Sequence, residues 1–281
     1  MDGPAWSYEA LPKAALYLAV LTSIGIVATR GLLLRRASVP SDVGRTLARL
    51  GRLAASLALA ALALRLLAHT AVSFGAGEAL HWDNLQVIGI ESRWGHAWRL
   101  QVLNAGVLAA GAFAIRIHRR VGWLTFSVAA LALCATIPLL GHGATSNSGL
   151  VLHSLHLLGV SGWLGTLAVL FALYFSNRQA VESLIPRFST MALASAALAT
   201  ASGVIAAFIY VGSLSNLVST TYGRTLLIKL AGFVCIAVCG WSNWRRASAG
   251  QAPRLRALAA ELAFAAAVVV VTSVLSEMEH P

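Results

Sequence analysis

Apolar positions gather into eight blocks, at 13–34, 51–73, 98–117, 121–140, 150–175, 187–210, 223–243 and 256–276, parted by short polar connections. About 20 apolar residues at 1.5 Å each match the roughly 30 Å hydrocarbon core of a bilayer. Each block is expected to form one transmembrane α-helix, because a helix satisfies its backbone polar groups internally in lipid. The expected fold is all-α: an eight-helix transmembrane bundle forming one polytopic domain over residues 1–281. Residues 1–12 carry Asp2 and Glu9 instead of a basic leader, which points to a retained first helix rather than a cleaved signal peptide.

The polar connections divide by charge. Arg30, Arg35, Arg36, Arg45, Arg49 and Arg52 mark the first, Arg116, Arg119 and Arg120 the third, Arg178 and Arg187 the fifth, and Arg245, Arg246, Arg254 and Arg256 the seventh. Basic connections are retained in the cytoplasm, so both termini are expected in the periplasm. The net charge of +11 in a chain that is 58% hydrophobic is thereby spent on topology, and no aromatic-basic module for nucleic acid accompanies it. The opposite face collects Asp2, Glu9, Glu78, Asp83, Glu91, Glu277 and Glu279, with His69, His81, His96, His142, His153, His156 and His280; only His118 falls on the arginine side. Carboxylates and imidazoles without competing arginines suit a face that gathers transition-metal cations.

Two connections echo each other: Glu91-Ser-Arg-Trp-Gly-His96 and Ser219-Thr-Thr-Tyr-Gly-Arg224, each ahead of a helix. The echo hints at a duplicated four-helix unit with copies in the same orientation, although glycine beside an interfacial aromatic also occurs without duplication.

His153 and His156 are three residues apart on one helix, which sets their Cβ atoms about 5–6 Å from each other, near enough to share a metal ion. Gly159, Gly162 and Gly165 around Trp163 permit close approach of another helix, and glycines on both sides of His142 give that ring freedom to swing toward the pair. The plainer reading of all three histidines is helix capping and interfacial hydrogen bonding. His69 follows Arg65 by one turn, and His81 beside Asp83, His96, and His280 beside Glu279 are candidate collectors on polar segments. Cys235 and Cys239, spaced i,i+4, could pass a soft ion, but buried cysteine more often serves as a small hydrophobe, as expected of Cys134. Arg65, Lys229 and Glu261 are charges inside apolar blocks, where each calls for a partner or a pathway role. No phosphate-binding loop, dinucleotide fingerprint, zincin helix or nucleophile elbow is present, so no enzyme is expected.

Several stretches carry a family likeness: Arg187-Phe-Ser-Thr-Met-Ala192, Ala201-Ser-Gly203, Thr221-Tyr-Gly-Arg-Thr-Leu-Leu-Ile-Lys229, Asn243, Glu261, Gly141-His142, and His156-Leu-Leu with Trp163-Leu-Gly165. Across residues 90–276 the chain resembles the copper resistance protein D family. The resemblance implies a bacterial inner-membrane protein of eight helices that moves copper from the periplasm toward the cytoplasm, with a separate periplasmic copper-binding protein of the C type as partner. It also implies His142 and His156 as metal ligands, with His153 standing where many relatives carry an acidic residue. The leading expectation is a copper uptake or delivery protein whose ligands are His142, His153 and His156. Imidazole suits Cu(I), Cu(II) and zinc alike. The alternatives are a b-type haem cytochrome held by His69 and His156, and an assembly subunit that docks a periplasmic partner without metal.

Overall fold

The computed structural model describes residues 6–33, 39–141, 146–251 and 255–278. Among them the chain is helical throughout, with no strand. The α-helices are α1 (Trp6–Ala28), α2 (Ser41–Phe74), α3 (Trp82–Gln86), α4 (Arg93–Ala114), α5 (Arg119–Thr136), α6 (Asn147–Val160), α7 (Thr166–Tyr174), α8 (Arg178–Val211), α9 (Leu214–Ser219), α10 (Thr221–Ser248) and α11 (Leu255–Leu275). Single π-helical turns extend α1 through Thr29–Leu33, lead into α4 through Val87–Glu91, and join α6 to α7 through Ser161–Gly165.

Helix starts are set by side-chain caps that satisfy otherwise orphaned N–H groups. Ser92 Oγ accepts from Gly95 N–H ahead of α4, Ser146 Oγ from Gly149 N–H ahead of α6, Asn177 Oδ1 from Ala180 N–H ahead of α8, and Thr220 Oγ1 from Gly223 N–H ahead of α10. The two longest helices, α2 and α8, each of 34 residues, stop at glycines with φ +98° and +70°, Gly75 and Gly212. A left-handed residue there ends the helix at little cost only if it is glycine.

Among the described residues every apolar block is largely helical. Seven of the helical segments are long and apolar enough to cross a membrane, and α4, which carries Arg99, Gln101 and Asn104 in its first half, is not among them. The eight-span expectation is thus met for seven by length and composition. The segment expected as a solvated loop between α2 and α4 is itself largely helical, folded as α3 and the Val87–Glu91 turn, and His96 falls in the first turn of α4.

α1 runs through the middle, packed on α2, α5, α7, α11 and the Ser161–Gly165 turn, while α4 pairs with α5, α6 with α8 and α10 with α11. The tightest crossing is between α1 and the π turn, where Gly25 and Gly165 face each other and a Cβ on either would strike backbone. In lipid, where apolar surface gains nothing from leaving water, such close backbone approach is a main source of helix association. The helices alternate in direction. Lys13, His69 and Glu277 therefore meet at one end of the bundle, the histidine end, while Arg30 covers Trp123 and Asn177 bonds Asp42 at the other, the arginine end.

Candidate metal-handling site

The second half of the chain lines a cavity of about 450 Å³ whose walls run from Gly212 and Leu217, toward the histidine end, to Trp163, Phe233 and Ile236. Apart from apolar side chains and the hydroxyls of Thr200 and Ser213, its wall offers His156 and Lys229. The His156 ring is held across the α6–α8 interface, its Nδ1 2.8 Å from the Ala199 carbonyl and 3.4 Å from Ser202 Oγ. A carbonyl can only accept, so Nδ1 carries the proton and Nε2 presents its lone pair; no hydrogen bond to Nε2 exists among the described residues. A carbonyl bonded to one ring nitrogen is the arrangement that orients an imidazole for metal binding through the other. Gly203 makes room for the ring, since a Cβ there would stand 3.0 Å from His156 Cε1. Lys229 lies near enough for its charge to act on the ring.

Past the apolar floor lies a second polar group. Trp163 packs edge-on against Phe233 and donates its indole N–H to Glu261, whose Oε2 accepts from Asn243 Nδ2 at 3.0 Å. Glu261 is buried, and Asn243 Oδ1 has no hydrogen-bond partner among the described residues. Gly240 leaves the space that the carboxylate and Trp163 occupy.

The first half has a different arrangement at the same end. Lys13 Nζ contacts Glu277 Oε1 at 2.6 Å, Arg65 stands 3.7 Å from the same oxygen, and His69 Nδ1 bonds Glu9 Oε1. His69 also stacks on Trp94 with centroids 4.3 Å apart, and the Arg65 guanidinium lies over that indole. Lys13 and Arg65 are almost fully buried, so each cation requires these carboxylates. Burial pushes the Glu277 carboxyl above its ordinary range, Lys13 opposes the shift and Glu9 adds to it.

Each described candidate ligand has its own local setting. His153, one turn before His156, bonds the Gly149 carbonyl at 3.0 Å through Nδ1 and packs edge-on against Tyr210. His69 belongs to the Glu9 and Trp94 cluster and does not line the His156 cavity, which leaves a haem held between those two rings without a shared space. His81 is exposed beside Glu78, and His96 accepts from Arg99 at 2.8 Å. His142 and His280 lie outside the described residues, and among those described no three His, Cys, Asp or Glu side chains form a metal-holding group. Cys235 and Cys239 are free thiols on α10. The Lys13, Glu9 and Glu277 cluster was not read from the sequence; its signal was a lysine and a glutamate, four residues apart, at the start of an apolar block.

Comparison with known families separates the chain into two matched regions. Residues 8–153, more than half of the chain, match the copper resistance protein D-like N-terminal domain, and residues 182–275 match copper resistance protein D. The copper transport protein CutJ of Bacillus subtilis (strain 168) is 28% identical over 97% of this chain; the chain spans 53% of that relative's length. No solved structure matches. The family is one of copper resistance and transport rather than of enzymes. With apolar helices that suit repeated membrane crossing and both family regions in place, the chain belongs to the copper resistance protein D family of multi-pass bacterial membrane proteins.

Proposed function

We propose that this protein takes up copper at its histidine end, on the extracytoplasmic side of the inner membrane, and passes it inward through the second half of the bundle. The observation that carries this reading is the His156 ring, set in the wall of that cavity with Nδ1 committed to the Ala199 carbonyl and Nε2 unengaged among the described residues. Membership of a copper family and likeness to a protein named for copper transport support copper as the cargo. His142, which follows Gly141 in the sequence, and His153 are the candidates to complete the coordination. His81, His96 and His280 serve at most as collectors, and a separate periplasmic copper-binding protein of the C type is the proposed donor. Beyond His156 the path leads past Trp163 to Glu261 and Asn243, an anionic oxygen and an open amide acceptor suited to a passing cation.

The arginine-rich connections support the orientation, with both termini outside. The proposal also reads the chain as two four-helix units. Supporting it are the paired 34-residue helices ending in positive-φ glycines and the matching caps Ser92 to Gly95 and Thr220 to Gly223, each preceded by a short helix. On this reading the Lys13–Glu277 pair joins the two units at the histidine end, and the cavity beside His156 belongs to the second. Copper accumulation in cells that depend on this protein tests the proposal: His156→Ala is expected to abolish it at unchanged membrane abundance, and wild-type accumulation by that variant rejects the route.

A further inference from the structure

At the arginine end five arginines line one cleft of about 660 Å³. Arg45, Arg49 and Arg52 belong to the first turns of α2, Arg116 to the α4–α5 connection and Arg119 to the start of α5. Its lining holds one carboxylate, Asp42, which already accepts from Asn177 Nδ2 at 2.8 Å. Among the described residues none of the five arginines has a carboxylate within ion-pair distance. Trp123 forms the floor, buried beneath the Arg30 guanidinium at 4.6 Å from the ring centroid. Cytoplasmic retention of a loop requires basic residues near the helix ends, but not that they face one another across a concavity, where like charges repel.

Depth narrows the ligand. The 34 residues of α2 extend about 51 Å, well beyond the roughly 30 Å hydrocarbon core, so its arginine-bearing start lies at headgroup level. Ala48 and Ile115 add an apolar flank. We propose that this cleft binds a phosphate-bearing anion, with the headgroup of an anionic phospholipid as its source. Guanidinium forks match phosphate oxygens in pairs, and a phosphate would offset positive charge that, among the described lining residues, Asp42 alone opposes.

The test uses the full chain in a neutral detergent, with its thermal midpoint followed against dioleoylphosphatidylglycerol, dioleoylphosphatidylcholine or inorganic phosphate. Phosphatidylglycerol is expected to raise the midpoint saturably and phosphatidylcholine to leave it in place. A comparable rise with inorganic phosphate would keep the site and assign it to a soluble anion. The double variant Arg49→Gln/Arg116→Gln should need roughly tenfold or more lipid for the same rise, as expected for lost charge-assisted hydrogen bonds. Arg245→Gln/Arg256→Gln, an equal loss of charge on another connection, should respond as the wild type does. Equal responses of the two double variants, or equal effects of the two lipids, overturn the proposal. Should the first variant fail to fold, brominated-chain lipids decide the matter on the unaltered cleft. Excess quenching by the phosphatidylglycerol form that disappears in Trp123→Phe supports the site, and equal quenching by the two headgroups rejects it.

Discussion

A single ring shows how much chemistry depends on neighbours that a sequence does not display. His156 could be picked out from its spacing to His153 and Trp163, but its proposed role as a ligand rests on Ala199 and Gly203, on a different helix and more than 40 residues away. One fixes the tautomer and the other makes the room. Gly203→Ala should therefore press on the imidazole and weaken Cu(I) binding by roughly tenfold, about 1.4 kcal/mol, while helix content stays as it was; competition against a Cu(I) chelator and circular dichroism measure the two. Lys229 acts through charge. Its ammonium opposes a cation at His156, so Lys229→Gln is expected to tighten copper binding, and a weaker affinity in the same titration would show the ammonium to be part of the site. His69 has the residue type of a ligand and none of the freedom, because Glu9 and Trp94 occupy it. That difference lies in contacts 25 to 60 residues distant along the chain and could not be read from spacing.

Helices were legible because apolar blocks announce them, but their ends were not. The block at 51–73 lies within α2, which begins ten residues earlier at Ser41, and the block at 187–210 lies within α8, which begins at Arg178. Hydropathy marks where lipid begins, whereas arginine, alanine and leucine continue a helix readily into the headgroups until Pro40 or Asn177 stops it. The stretch between α2 and α4 shows the converse error: its polar composition suggested a loop, yet it coils into short helices capped into α4 by Ser92. Crossing points were signalled by glycine alone. Gly165→Leu should force α1 away from the Ser161–Gly165 turn and cost at least about 1–3 kcal/mol, seen as a lower unfolding midpoint in detergent, whereas Gly31→Leu, with open space around it, should change little.

Across the whole molecule, the two halves place comparable features at the histidine end and use them differently. Lys13, Arg65 and Glu9 of the first half meet Glu277 of the second, joining the start of α1 to the residues just after α11 and so tying the chain's two described ends together. Lys13→Met would strand the Glu277 carboxylate and is expected to destabilise the fold by roughly 3–5 kcal/mol in an unfolding titration, with the double variant Lys13→Met/Glu277→Leu recovering much of the loss. The second half instead has a cavity beside His156, where the proposed copper route begins. The most direct measurement is Cu(I) titration of the purified full chain against a competing chelator, compared with His156→Ala and, as a control away from the cavity, His96→Ala. The account predicts a tight site in the wild type and in His96→Ala that disappears in His156→Ala; unchanged stoichiometry and affinity in His156→Ala would contradict it.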